Sequence, residues 1–265
     1  MTQLIFILVS FFASVIGCIC GIGGGVIIKP VLDLFGAVSV ATIGFLSSCT
    51  VLCMSVYNVS KSLTDKGSSS AIDLHTGTPL AIGAAIGGIL GNKAFALLRS
   101  MAPREGIAGA AQSLCLMVLV LGTLLYTLKK SAIHPKNVQG FLPCGLIGLA
   151  LGALSSFLGI GGGPFNLVVL HFFFGMETKK AAANSLYVIL FSQIANLLST
   201  LLTASVPPFE VPMLVLMALG GIGGGIVGRK LNKRMDNTMV DRLFVGLMVV
   251  IILICVYNAW RYTVV

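Results

Sequence analysis

The pentapeptide GIGGG occurs twice in this chain, letter for letter, at residues 21–25 and 159–163, and a variant, GGIGGG, sits at 220–225. Each run lies inside a strongly apolar stretch. Successive N–H groups in a glycine turn, at the start of a following half-helix, form a concave anion site with a favourable dipole. Gly21, Gly23, Gly24 and Gly25, and their counterparts Gly159, Gly161, Gly162 and Gly163, are therefore the first candidates for binding an anion. The nucleotide-loop alternative fits poorly. The runs lack the full G-x-G-x-x-G spacing, the P-loop lysine and a preceding soluble strand. Against the anion reading stands close helix packing by small residues, which is the expectation for the 220–225 run and for Gly83, Gly87 and Gly91.

Polar side chains near the corners extend the candidate site. Asn166 flanks the second corner beside Ser155 and Ser156. Ser47, Ser48, Asn58, Asn184, Ser185, Gln193 and Asn196 lie on the helices that follow. Hydroxyl and amide donors suit an oxyanion and add no fixed charge, although each singly could serve as glue between helices. Lys29 and Asp33, at i and i+4, are the charged residues deepest in apolar surroundings. They either pair on one helix face, or Lys29 reaches the interface while Asp33 caps a loop. His171 occupies the equivalent half-helix of the second copy and is either a proton carrier or structural. Cys18, Cys20, Cys49 and Cys53 leave a redox or soft-metal site conceivable, but small buried packing residues are the expectation. No metal-ligand set or cofactor motif is read.

Such residues need elements that hold them in a bilayer. The 265 residues are 57% hydrophobic and 9% charged, with a mean hydropathy of +1.03. Soluble domains carry about 25% charged residues, so a polytopic, all-helical membrane protein in contact with the lipid bilayer is expected. The net charge of +9 is not a nucleic-acid footprint, because the Lys and Arg residues fall in short gaps between apolar runs.

Eight apolar segments are read, at 4–36, 38–60, 78–98, 107–128, 140–174, 181–203, 211–228 and 243–260. The first and fifth are too long for one upright span, since 33 residues of helix run roughly 50 Å against a core of about 30 Å. Each is expected to be two helices meeting at its glycine corner. Residues 21–58 lie over 159–196 without a gap, and Gly83, Gly87 and Lys93 match Gly220, Gly224 and Lys230. The chain therefore reads as two four-segment repeats, 1–130 and 140–265, joined by a linker at 131–139. If the broken segments cross the membrane, the repeats are parallel and cations split ten to six. If they turn back, the repeats are inverted and the split is twelve to four. The second obeys the positive-inside rule better, so inverted repeats with both termini outside are expected.

A GIGGG opening each half, Pro30 five residues after the first, the Ser/Asn patch on the next helix and a glycine-rich helix with a basic end resemble the TauE/SafE sulfite exporter family. In the second half Pro164 follows the glycines, and Val168 stands at the match of Pro30. The resemblance implies a multi-pass transporter in a bacterial-type inner membrane that moves a small sulfur oxyanion or sulfonate, usually outward. The expected protein is a secondary transporter rather than an enzyme, with a midplane site between the corners and homo-oligomerisation open. An anion channel and a cysteine-dependent redox or metal protein are the alternatives.

Overall fold

The computed structural model describes residues 2–36, 38–64, 72–101 and 105–264. Among them there is no strand. The helices are α1 (Thr2–Cys20), α2 (Gly25–Phe35), α3 (Val40–Thr64), α4 (Leu74–Met101), α5 (Glu105–Leu128), α6 (Phe141–Phe157), α7 (Phe165–Phe174), α8 (Thr178–Leu202), α9 (Val211–Arg234) and α10 (Asn237–Val264), with one 3-10 turn at Lys130–Ala132. Seven of the described helices are long and apolar enough to cross a bilayer, all but α2, α6 and α7. Lys66 and Arg104, two of the cations counted from the sequence, lie outside the described residues, as does the Arg261 side chain.

The first break is made by a left-handed glycine. Gly21 has φ +68°, its N–H donates to the Cys18 carbonyl at 3.3 Å, and the Ile22 N–H donates to the Gly17 carbonyl at 3.0 Å. This pair of bonds is a Schellman ending, which satisfies carbonyls that a helix terminus would otherwise leave bare. The second break repeats it. Gly159 has φ +63°, bonded to Ser156, and Ile160 is bonded to Ser155.

After the break the chain reverses. A side chain on Gly24 would meet Ser14 and Ala13, three turns back on α1, and Gly17 lies against the Gly23–Gly24 backbone. α2 thus returns toward the side from which α1 came. At the other hairpin, Lys136 and Val138 donate backbone N–H bonds to the Phe172 and Phe173 carbonyls, so α7 ends beside the segment that leads into α6. Thr42, at the start of α3, bonds the Pro208 carbonyl beyond α8. Lys179, at the start of α8, bonds Asn237 at the start of α10. α2 and α7 therefore end at opposite ends of α8. The face holding 129–139, the start of α8 and the end of α9 is the basic one. There Lys130 pairs with Asp241 at 3.3 Å and Lys180 approaches Asp73 at 4.0 Å.

The most extensive interfaces are α4 with α6 and α1 with α9, and glycines make them. A Cβ on Gly83, Gly87 or Gly91 would fall 2.0–2.1 Å from the carbonyls of Gly145, Leu149 and Ala153; on Gly224 it would fall 2.3 Å from the Phe11 carbonyl. Backbones this close allow dispersion contact along the whole crossing, the main attraction available to helices in lipid. α5 and α10 pack on each other outside this bundle, and α3 and α8 run through its centre.

Gly87→Ala is expected to cost about 1–3 kcal/mol by overpacking. Gly122, with nothing within 4 Å of its Cβ position, should tolerate alanine or gain up to about 1 kcal/mol. Thermal unfolding of the two variants in detergent checks this; equal melting temperatures would contradict the packing account.

Candidate functional site

The two glycine corners touch. A Cβ on Gly25 would fall 1.7 Å from the Ile160 carbonyl oxygen, one on Gly162 3.0 Å from the Ile22 carbonyl, and one on Gly23 3.8 Å from the Gly161 carbonyl. Val51 and Ile189 pack on this junction. Each is the twelfth residue of a 25-residue helix, which puts the junction midway through α3 and α8.

The structure gathers only part of the sequence-derived set there. The Ser47 hydroxyl stands 3.0 Å from the Gly25 Cβ position, and the Gln193 amide 3.3 Å from that of Gly161. The Ser47 hydroxyl and both Gln193 amide atoms are buried without a hydrogen-bond partner. Asn166 donates to Ser185 at 3.3 Å beside them. Gly24 lies on Ser14, Gly21 on the Ala182 backbone and Gly163 on its neighbour Phe165.

Three candidates go elsewhere. Asn184 accepts from the Asp73 N–H at 2.9 Å and donates to the Lys180 carbonyl, tying α8 to the start of α4. His171 shares a 2.9 Å hydrogen bond with the Tyr126 hydroxyl near the basic face. Asp33 is buried toward the end of α2. The Lys29 ammonium hydrogen-bonds Gln112 and the Leu158 carbonyl, with Asp33 one turn further along α2. A lysine's long stem let the ammonium reach another repeat.

Lys29 marks a cavity of about 590 Å³. Its floor holds Lys29, Gln112, Ser156, Gly159, Ser48 and Asn196, its walls Phe45 and Phe95, and farther out lie Lys93 and Arg99. The start of α3 and the ends of α4 and α8 surround it, so it opens on the face opposite the basic one. No Asp or Glu is among the described residues that line it.

The lysine is held there by the break itself. α6 ends at Phe157, and the last carbonyls of a helix carry partial negative charge and lack intrahelical partners. Lys29 Nζ donates to the Leu158 carbonyl at 2.8 Å and to Gln112 Oε1. Gln112 in turn donates from Nε2 to the Phe157 carbonyl at 2.6 Å, which orients its oxygen toward the ammonium. The Phe95 ring lies 5.8 Å from Nζ, within cation–π range. An ammonium has three donors, and two are used by these bonds. The lysine is 5% exposed, and its hydrogen-bonded partners are neutral. Such a centre attracts an anion, with the Ser48, Ser156 and Asn196 side chains at hand as hydrogen-bonding groups. The Ser156 hydroxyl and Asn196 Oδ1 have no partner.

Sequence reasoning flagged Lys29 for charge coupling and missed Gln112, Phe95, Lys93 and Arg99 as its neighbours. A glutamine in the apolar run of α5 was the one readable signal. Of the corner glycines only Gly159 lines the cavity, and its N–H is bonded to the Ser156 carbonyl. Among the described residues no three His, Cys, Asp or Glu side chains converge.

The sequence profile of the family described as "Sulfite exporter TauE/SafE" matches residues 6–254. A Bacillus subtilis (strain 168) protein named "Probable membrane transporter protein YunE" is 22% identical over 262 residues, covering 91% of this chain and 92% of that one. No solved structure matches the chain significantly.

Lys29→Met is expected to weaken anion binding roughly 10- to 100-fold, the equivalent of one charge-assisted hydrogen bond of about 1.5–3 kcal/mol. Lys29→Arg should retain most of the affinity. Binding by calorimetry or by ligand-induced thermal shift, on protein of unchanged elution profile, checks this; equal affinity in Lys29→Met would remove the lysine from the site.

Proposed function

This chain belongs to the TauE/SafE sulfite exporter family, and on that footing we propose that it is a secondary carrier for a small sulfur oxyanion or sulfonate, working outward. It is a multi-pass integral membrane protein of a transporter family. The observation that carries the reading is the buried Lys29 ammonium lining a cavity of about 590 Å³ with no acid among its described lining residues.

We read α1–α5 and α6–α10 as inverted repeats, residues 1–130 and 140–265 around the 131–139 linker. Support comes from reciprocal packing, in which α1 meets α9 as α6 meets α4, and α3 meets α9 as α8 meets α4. The glycine-broken hairpins, entering from opposite faces, are what such a relation requires. Twelve cations fall on one face by this topology and four on the other, so the basic face is cytoplasmic. The cavity then faces outward, and the corner junction closes it from the inside. A closed junction favours a carrier over an open channel. Export of an anion runs down an inside-negative potential, at about 2.3 kcal/mol per charge per 100 mV.

Labelled sulfite uptake into proteoliposomes, with sulfate, thiosulfate and a sulfonate as competitors, tests the reading. Saturable uptake with counterflow is expected, and Gly23→Leu and Gly161→Leu, which force side chains into left-handed backbone at the junction, should lower it at least ten-fold. Absence of flux for every one of these anions would refute the substrate class, and flux without saturation or counterflow would refute the carrier.

A further inference from the structure

Near the basic face, a pocket of about 30 Å³ is lined by ten residues, among them Lys179, Arg229 and Lys233. Aligning the halves by the sequence repeat carries every one of the ten onto a residue lining the 590 Å³ cavity. Cys18 falls on Ser156, Asn58 on Asn196 and Ser62 on Thr200, each a shift of 138 positions. Arg229 falls on Asn92, a shift of 137, as does Lys233 on Ala96. The two spaces are the same place in the two halves, one open and one shut.

The difference between them is localised. On the shut side a Cβ at Gly21 would fall 2.2 Å from Ala182 Cα, so the start of α8 lies directly on the first corner. On the open side the residues matching these are Gly159 and Gly44. There the Gly44 Cβ position comes only within 3.9 Å of the Gly159 carbonyl, and the Gly159 position is met first by Lys29.

The charges are not a product of the repeat. Lys179, Arg229 and Lys233 match Ala41, Asn92 and Ala96, which carry none. Yet three cations stand among the described lining residues of each: Lys29, Lys93 and Arg99 at one, Lys179, Arg229 and Lys233 at the other. Arg229 reaches across from α9 to the end of α3, donating to Ser62 at 2.7 Å and to the Asn58 carbonyl at 3.3 Å.

From these observations we propose that the shut pocket is the second mouth of the pathway, an inner oxyanion-collecting site built by Lys179, Arg229 and Lys233, which opens when the start of α8 leaves Gly21 and the start of α3 closes on Gly159. The inference rests on the carrier reading. It adds the place of the inner site, the residues that form it and the two contacts that exchange. Guanidinium and ammonium groups with neighbouring hydroxyl and amide groups suit a small oxyanion.

Two measurements test it. In a background with the native cysteines replaced, Ala96→Cys in the cavity and Ala183→Cys in the pocket are labelled with a membrane-impermeant maleimide from either side of oriented vesicles. Ala96→Cys should react only from the outer side, and Ala183→Cys, more slowly, only from the basic side. Adding Gly44→Leu, which props the outer mouth open, should slow Ala183→Cys at least ten-fold and leave Ala96→Cys unchanged. No reaction of Ala183→Cys from the basic side, or a rate indifferent to Gly44→Leu, overturns the second mouth. In sidedness-resolved sulfite transport, Lys233→Gln and Arg229→Gln should raise the half-saturating concentration about five-fold or more at the basic face alone, with Arg229→Lys restoring it. An equal rise at both faces, or none, overturns the collecting site. Labelling needs no substrate, so a wrong anion would leave the first result standing and appear only in the second.

Discussion

The requirement that backbone polar groups find partners inside lipid governs this protein. Each unsatisfied N–H or C=O in hydrocarbon costs several kcal/mol, and the chain interrupts two helices in its middle. It meets the cost with two identical Schellman endings, with corners set back to back, and with side chains brought from elsewhere. The α6 end recruits Lys29 and Gln112, and recruiting them places a positive charge at the bottom of a cavity. The structural solution and the candidate chemistry are one arrangement.

Glycine serves two purposes that the composition alone does not separate. At Gly21, Gly23, Gly159 and Gly161 the backbone is left-handed, and any other residue would be strained by about 1–2 kcal/mol. In α4 and α9 the glycines are helical, and what matters is the missing Cβ, which lets carbonyls of α6 and α1 approach within a side chain's width. The first use shapes the hairpins. The second clamps each hairpin's long arm to a spanning helix of the opposite half.

Charge follows the same division of labour. Cations at the basic face are set by topology and are held in place by Asp241, Asp73 and backbone carbonyls. Other cations line the two spaces, where Arg229 bonds Ser62 and the Asn58 carbonyl and Lys29 bonds the Leu158 carbonyl. Val51 and Ile189 pack on the corner junction.

The sequence by itself determined the solvent, the breaks and the charge bias. Those properties are summed over local stretches, so nine charged residues in a hundred, two GIGGG runs and uneven lysines were enough to read a helical membrane protein broken at known places. Lys29 was legible as unusual because its neighbours in the chain are apolar. Its partners were not legible. Gln112 and Leu158 lie 83 and 129 residues away, and nothing local chooses them over Asp33, four residues on. The tertiary structure alone decided that α2 turns back, that Asn184 bonds Asp73 and His171 bonds Tyr126, and that one of two repeat-related spaces is large and the other small. Both halves carry the same glycine corner followed by a long helix with a Ser/Asn patch. Only the contacts between distant segments distinguish a cavity of 590 Å³ from one of 30 Å³.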